Sequence, residues 1–266
     1  MGRAIIGAPN ELGGGAYSAQ LLDGAWTITK NLADDLPTAY GELGLAVELV
    51  ENYAYVSNPG VNITGTTLGV VWAYTWEEDE GADGGTSDFT MTTFVAPPDG
   101  MNGTQFGTAL SLQPGILLVG SPNEDDTGAV HVYTYTGDDS QMIGLTWHSR
   151  VTGATAGARY GSTLQAGWTS GVTGGLALAG SPGAASESGR VDTVELGNLD
   201  SADGTTRPPY DFAQTIDTSE DGVPQQIEHR GDWAIAGWPN HPSGQGGVRL
   251  FKFDGTNWSA VGSMVH

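Results

Sequence analysis

The chain has 266 residues, enough for one large β domain or two ordinary ones. Its 42 Gly and 13 Pro, with 38% hydrophobic residues, suit many short strands and tight turns, and the lack of a three-residue Gly period excludes a collagen-like rod. Nine basic residues against 31 acidic ones leave a net charge of −22, which excludes nucleic acid and anionic membranes as partners, since both need clustered Lys/Arg.

There is no cysteine, so disulfides and thiolate metal sites are ruled out. No stretch approaches the roughly 18 apolar residues of a membrane span, and direct membrane insertion is not expected. The opening MGRAIIGAPN lacks the long apolar core of a signal peptide and reads as a strand.

Taken in order, the chain repeats one phrase five times. An apolar run ends in Pro at Ala4–Pro9, Ala54–Pro59, Leu117–Pro122, Leu178–Pro182 and Ile235–Pro239, at intervals of 50 to 63 residues. Each Pro is followed by a turn and a strand opened by Gly15, Gly69, Gly128, Gly189 or Gly247, rich in Val, Tyr, Phe and Trp. A further strand carries an aromatic near its start: Trp26, Phe89, Trp147, Tyr210 or Phe212, and Trp258. An aromatic-Gly strand completes the phrase at Tyr40-Gly41, Phe106-Gly107 and Tyr160-Gly161, with Val223-Pro224 in its place in the fifth copy. Each Pro, lacking an N–H, should mark where strand pairing stops, and the Gly before each Ala-Pro, Ser-Pro or Trp-Pro should let backbones approach closely.

Each unit thus supplies four short strands, and one such meander cannot bury both of its faces alone. The expected fold is all-β, a β-propeller of about five four-stranded blades in a single domain spanning 1–266. The repeat units are approximately 1–39, 40–105, 106–159, 160–222 and 223–266. The phrase resembles the FG-GAP repeat, best known from integrin α-subunits, through Tyr40-Gly41, Phe106-Gly107 and Tyr160-Gly161 and through Gly7-Ala8-Pro9, Gly120-Ser121-Pro122 and Gly180-Ser181-Pro182. The resemblance implies adhesion, matrix or surface roles, often without enzymatic activity. The Asp-rich calcium loop of many such repeats is not matched, because the corresponding hairpin reads Leu112-Gln113-Pro114-Gly115; the likeness is to the shorter, calcium-free variety. The first unit lacks its aromatic-Gly strand. That leaves a closed five-bladed ring with one incomplete blade, favoured because raw sheet edges invite aggregation, or a segment of a longer array.

Candidate sites lie in the loops. Glu77, Glu78, Asp79, Glu80 and Asp83 form one acidic run, and Asn123, Glu124, Asp125 and Asp126 fill the turn after Pro122. Glu124, Asp125 and Asp126 are the candidate Ca²⁺ ligands, since calcium takes several hard oxygens, but the alternating spacing of a calcium loop is missing and solvated turns are the competing reading. No cofactor is otherwise expected. Arg230-Gly231-Asp232 spells an adhesion tripeptide, although Gly-Asp suits a tight hairpin equally. Sequons occur at Asn62, Asn102 and Asn257. Glu48 and Glu228 align as a carboxylate pair of the kind a five-bladed glycosidase places in its channel. His131, His148, His229, His241 and His266 share no ligand spacing, and no His/Asp/Ser constellation is visible.

These readings combine into an expected non-catalytic structural or adhesive propeller, extracellular or on a cell or virion surface, with a protein partner or surface glycan in a larger assembly. The alternatives are a single-site glycan-binding propeller and a five-bladed glycoside hydrolase.

Overall fold

The computed structural model describes residues 2–36, 41–63, 66–78, 87–98, 104–113, 115–134, 145–153, 156–167, 176–182, 190–196, 212–216, 225–238 and 246–265. The described chain is all-β apart from two short 3-10 turns, Leu32–Asp35 and Glu124–Asp126. The first sheet contains β1 (Arg3–Ala8), β2 (Gly15–Leu22) and β3 (Ala25–Asn31), paired in that order. Next come β4 (Val47–Val50), β5 (Tyr53–Asn58), β6 (Asn62–Ile63), β7 (Thr66–Thr67), β8 (Val70–Glu77) and β9 (Asp88–Val95). The second sheet runs β4-β5-β8-β9, with β6 and β7 as a separate two-stranded ribbon.

The third sheet is β10 (Leu110–Gln113), β11 (Ile116–Ser121), β12 (Ala129–Thr134) and β13 (Thr146–Thr152). The fourth is β14 (Thr163–Gly167), β15 (Leu176–Ser181), β16 (Arg190–Glu195) and β17 (Phe212–Ile216). The fifth is β18 (Gln226–Arg230), β19 (Trp233–Trp238), β20 (Gly247–Phe253) and β21 (Trp258–Val265). These five antiparallel sheets of three or four strands are consistent with a β-propeller-like fold.

The chain divides into two compact units, Met1–Leu110 with Thr136–Leu145, and Ser111–Tyr135 with Thr146–His266. In the first unit Ala16, Leu32, Leu43, Val56, Trp72, Tyr74 and Phe89 form the core of the first two sheets. In the second, Leu176, Leu178, Val191, Ile227, Trp238, Phe251, Phe253 and Trp258 join the fourth and fifth. β5, β11 and β15 are buried along their whole length, which is why they read as continuous apolar runs ending in small or polar residues.

The Pro expectation holds: β1, β5, β11, β15 and β19 each end at the residue before the repeat proline. The close approach also holds at Gly7, where a Cβ would lie 2.0 Å from the Gly44 carbonyl oxygen. At Gly237 no atom of the described residues lies within 4 Å of such a Cβ.

The aromatic-Gly pairs need correcting. Phe106 and Gly107 are turn residues, Tyr160 forms an isolated bridge with Gly128 just before the turn at Gly161, and β10 and β14 begin only at Leu110 and Thr163. Gly107 and Gly161 have φ of 94° and 85°, left-handed values that an extended strand cannot contain. Tyr40 lies outside the described residues.

One regularity is not visible in the residues. In each of the five larger sheets the last strand pair shifts register once: at Ser18/Ala19, Ala73/Tyr74, Val132/Tyr133, Thr193/Val194 and Leu250/Phe251. The cross-strand register makes Tyr17, Trp72, His131, Asp192 and Arg249 equivalent, and the bulge follows that position by one residue in all five. A bulge at one fixed place is a repeated structural device that adds local twist.

Candidate active site on the third sheet

Ser121 ends β11, and the chain turns through Pro122 and Asn123 into the 3-10 turn Glu124–Asp126. Asp125 and Asp126 have φ of 49° and 59°, a left-handed conformation that Asp tolerates better than most residues. The Gly128 N–H then donates to the Glu124 carbonyl at 2.8 Å, closing the turn. Gly128 is required there: φ is 81°, and a Cβ would lie 2.3 Å from the Tyr160 nitrogen.

This turn folds the Glu124 side chain back over the sheet, where it is fully buried. Its carboxylate takes a hydrogen bond from His131 Nε2 at 2.6 Å and one from Arg150 Nη1 at 2.5 Å. Burial alone would raise the Glu124 carboxyl, but the hydrogen bond and charge of His131, with further hydrogen bonds from Arg150 and Ser121, hold it below its ordinary value. Arg150 also reaches Asp125 Oδ2 at 3.2 Å. Beside the cluster, burial first and the Glu124 charge second raise the Tyr133 hydroxyl.

His131 is 1% exposed and lies directly between Val119 and Arg150 across the strands. Trp147 Nε1 donates to its Nδ1 at 3.3 Å, so the ring carries its proton on Nε2, facing Glu124. The bulge makes this contact. Side chains alternate faces, so Trp147 and Arg150, three apart, would otherwise point to opposite faces of β13. The register shift pairs Tyr133 with Trp147 and His131 with Arg150, bringing both onto the His131 face. The result is a buried carboxylate orienting a histidine, with a guanidinium 33% exposed and an indole 42% exposed reaching the surface. Such an arrangement can hold a general base in one tautomer and stabilise its protonated form.

The sequence candidates fall as follows. Of the proposed calcium ligands, Glu124 is turned inward to His131 and Arg150, Asp125 faces Arg150, and Asp126 is exposed. Among the described residues no group of three or more His, Asp or Glu side chains could hold a metal ion. Asn257 is an exposed turn residue whose N–H donates to Asp254 Oδ1 at 2.8 Å. Asn62 lies on β6, and Asn102 lies outside the described residues. Glu77 accepts from Thr90 Oγ1 at 3.2 Å, Glu78 is exposed, and Asp79, Glu80 and Asp83 fall outside. Arg230 pairs with Trp233 around the two-residue turn Gly231-Asp232, which is the tight hairpin expected of it. Glu48, opposite Tyr55, and Glu228, opposite Ile235, do share one register position, but they belong to different units.

No family model matches the chain, and no curated protein does. Solved structures do. A candidate 6-phosphogluconolactonase from Bacteroides uniformis is 13% identical with a TM-score of 0.61, covering 98% of this chain and 68% of its own. A second, from Bacteroides fragilis, is 12% identical with a TM-score of 0.46, covering 99% and 82%. The first likeness shows a shared fold.

The expected non-catalytic structural or adhesive module is corrected here, together with its cell-adhesion and structural-protein associations. The fold is matched to a protein named as an enzyme, and the expectation rests on a sequence in which no constellation of titratable groups is visible. Folding supplies one, Glu124–His131–Arg150. The sequence carries only a faint trace of it: a Glu and a His flanking the strand-opening Gly128, and an Arg placed opposite the His only once β12 and β13 are in register.

Proposed function

We propose that this chain is a hydrolase of lactones, built as a five-bladed β-propeller of FG-GAP-like blades, with His131 as general base. The observation that carries the reading is the buried Glu124–His131 pair, which fixes the imidazole tautomer and leaves Nδ1 toward the surface-reaching Trp147. The fold shared with a candidate lactonase supports it, as does the bulge repeated at one register position in all five sheets.

When the Trp147 N–H releases Nδ1 and the indole stays at the mouth of the site, His131 Nδ1 takes a proton from water as the water oxygen bonds to the lactone carbonyl carbon. The carbonyl electron pair moves to oxygen, while the Glu124 carboxylate stabilises the imidazolium. Collapse breaks the ring C–O bond, and the imidazolium returns its proton to the leaving alkoxide, giving a hydroxy acid.

Titrating acid release from glucono-1,5-lactone and δ-valerolactone at constant pH tests this. The folded protein should exceed spontaneous hydrolysis, and His131→Asn should lower the rate by about 10²–10⁴-fold. A rate equal to buffer, or one untouched by His131→Asn, overturns the reading.

A further inference from the structure

Trp147 departs from the repeat. The ring at the start of the last strand faces the residue four beyond the shared register position in the first sheet (Trp26 opposite Leu21), the second (Phe89 opposite Trp76) and the fifth (Trp258 opposite Phe253), but only two beyond it in the third, where Trp147 faces Tyr133. Phe89 and Trp258 are buried in their cores. Trp147 instead keeps 42% of its surface in solvent while its N–H is tied to His131. The third sheet therefore brings its ring two residues closer to the shared position, where it is held edge-on to His131 and open to solvent.

The charges beside it favour one kind of ligand. Arg150 is the cation of the cluster, and it is already bound to both Glu124 and Asp125, with Asp126 adjacent and exposed. A phosphate ester needs uncommitted donors and positive potential. It would meet carboxylates here, on a chain of net charge −22. An uncharged ring bearing hydroxyls needs neither: its C–H face packs on an indole, and its hydroxyls hydrogen-bond to the polar rim.

Building on the lactonase reading, we infer that Trp147 is the specificity-determining platform of the site, stacking an uncharged, polyhydroxylated lactone and not a phosphorylated one. Glucono-1,5-lactam, which keeps the ring and hydroxyls but resists hydrolysis, separates binding from chemistry. Calorimetric titration of the native chain should show binding. Trp147→Ala should weaken it about tenfold or more, while Trp147→Phe, which keeps a stacking face without the N–H, should recover most of the loss. The 6-phosphorylated lactam should bind more weakly than the neutral one at low salt, with the gap narrowing as salt screens the carboxylates.

No binding to the folded native chain, equal binding by Trp147→Ala, or tighter binding of the phosphorylated lactam overturns the inference, whatever the hydrolysis assay gives. Binding that depends on Trp147 without any lactone turnover upholds the platform and removes the lactonase reading.

Discussion

The third and fourth sheets are built alike and carry different chemistry. In both, the second strand ends in Ser-Pro, at Ser121-Pro122 and Ser181-Pro182, and one register position holds a buried polar residue, His131 or Asp192. Each such residue meets an arginine. In the fourth sheet Arg190, on the same strand, places both Nε and Nη2 on Asp192 Oδ2 at 2.9 and 2.8 Å. In the third, Arg150 comes from the neighbouring strand and shares the carboxylate of Glu124 with the histidine. The fourth sheet holds an ion pair. The third holds a base with an orienting acid. An arginine beside a buried polar group therefore marks a site only when it shares its carboxylate with a titratable ring.

The contrast can be broken most sharply through activity. His131→Asn should lower lactone hydrolysis by about 10²–10⁴-fold, whereas Asp192→Asn should leave the rate within about twofold. Initial rates on both folded variants decide it, and equal losses would erase the distinction between the sheets.

Stability gives the next largest difference. Glu124→Ala strands two donors over a buried site and should cost about 3–5 kcal/mol in urea unfolding. Asp192→Ala should cost less, about 1–3 kcal/mol, because Arg190 is a quarter exposed and can turn toward water. The order of the two midpoints is the readout.

Removing the bulge sharpens the comparison further. Deleting His148, the extra residue of β13, should regularise the ladder at a cost of about 1–2 kcal/mol while Trp147 stays opposite Tyr133 and Arg150 opposite His131, so tryptophan emission should hold. A shifted spectrum would show that the added twist of the bulge, and not the pairing alone, sets the indole's surroundings.

The smallest expected effects are on pH dependence. Glu124 is held below its ordinary 4.5, so its contribution to stability is complete above that pH and lost as pH falls through the folded value; Glu124→Gln should flatten the acid limb. His229 gives a milder signal near neutrality. Burial lowers it below 6.5, outweighing the Gly231 carbonyl and Asp232, so stability is complete above pH 6.5 and declines as pH falls below it. Thermal melts across this window should lose that slope in His229→Phe.

Much of the fold is legible in the residues alone. Prolines at 50- to 63-residue intervals, opening glycines and aromatic strand starts locate the repeated strand order, because local sterics and side-chain alternation are written in the residues themselves. What the residues do not convey is the left-handed turn at each described aromatic-Gly pair and the bulge in the last strand pair, both of which depend on neighbouring strands. The candidate site follows the same division. Glu124 stands out as acidic and reads toward calcium, while His131 and Arg150 lie seven and 26 residues away with no motif linking them. Only the turn that buries Glu124, and a one-residue register shift that moves Trp147 to the other face, bring them together. Composition and period determine the strands, but side-chain convergence is a property of register, which tertiary pairing alone decides.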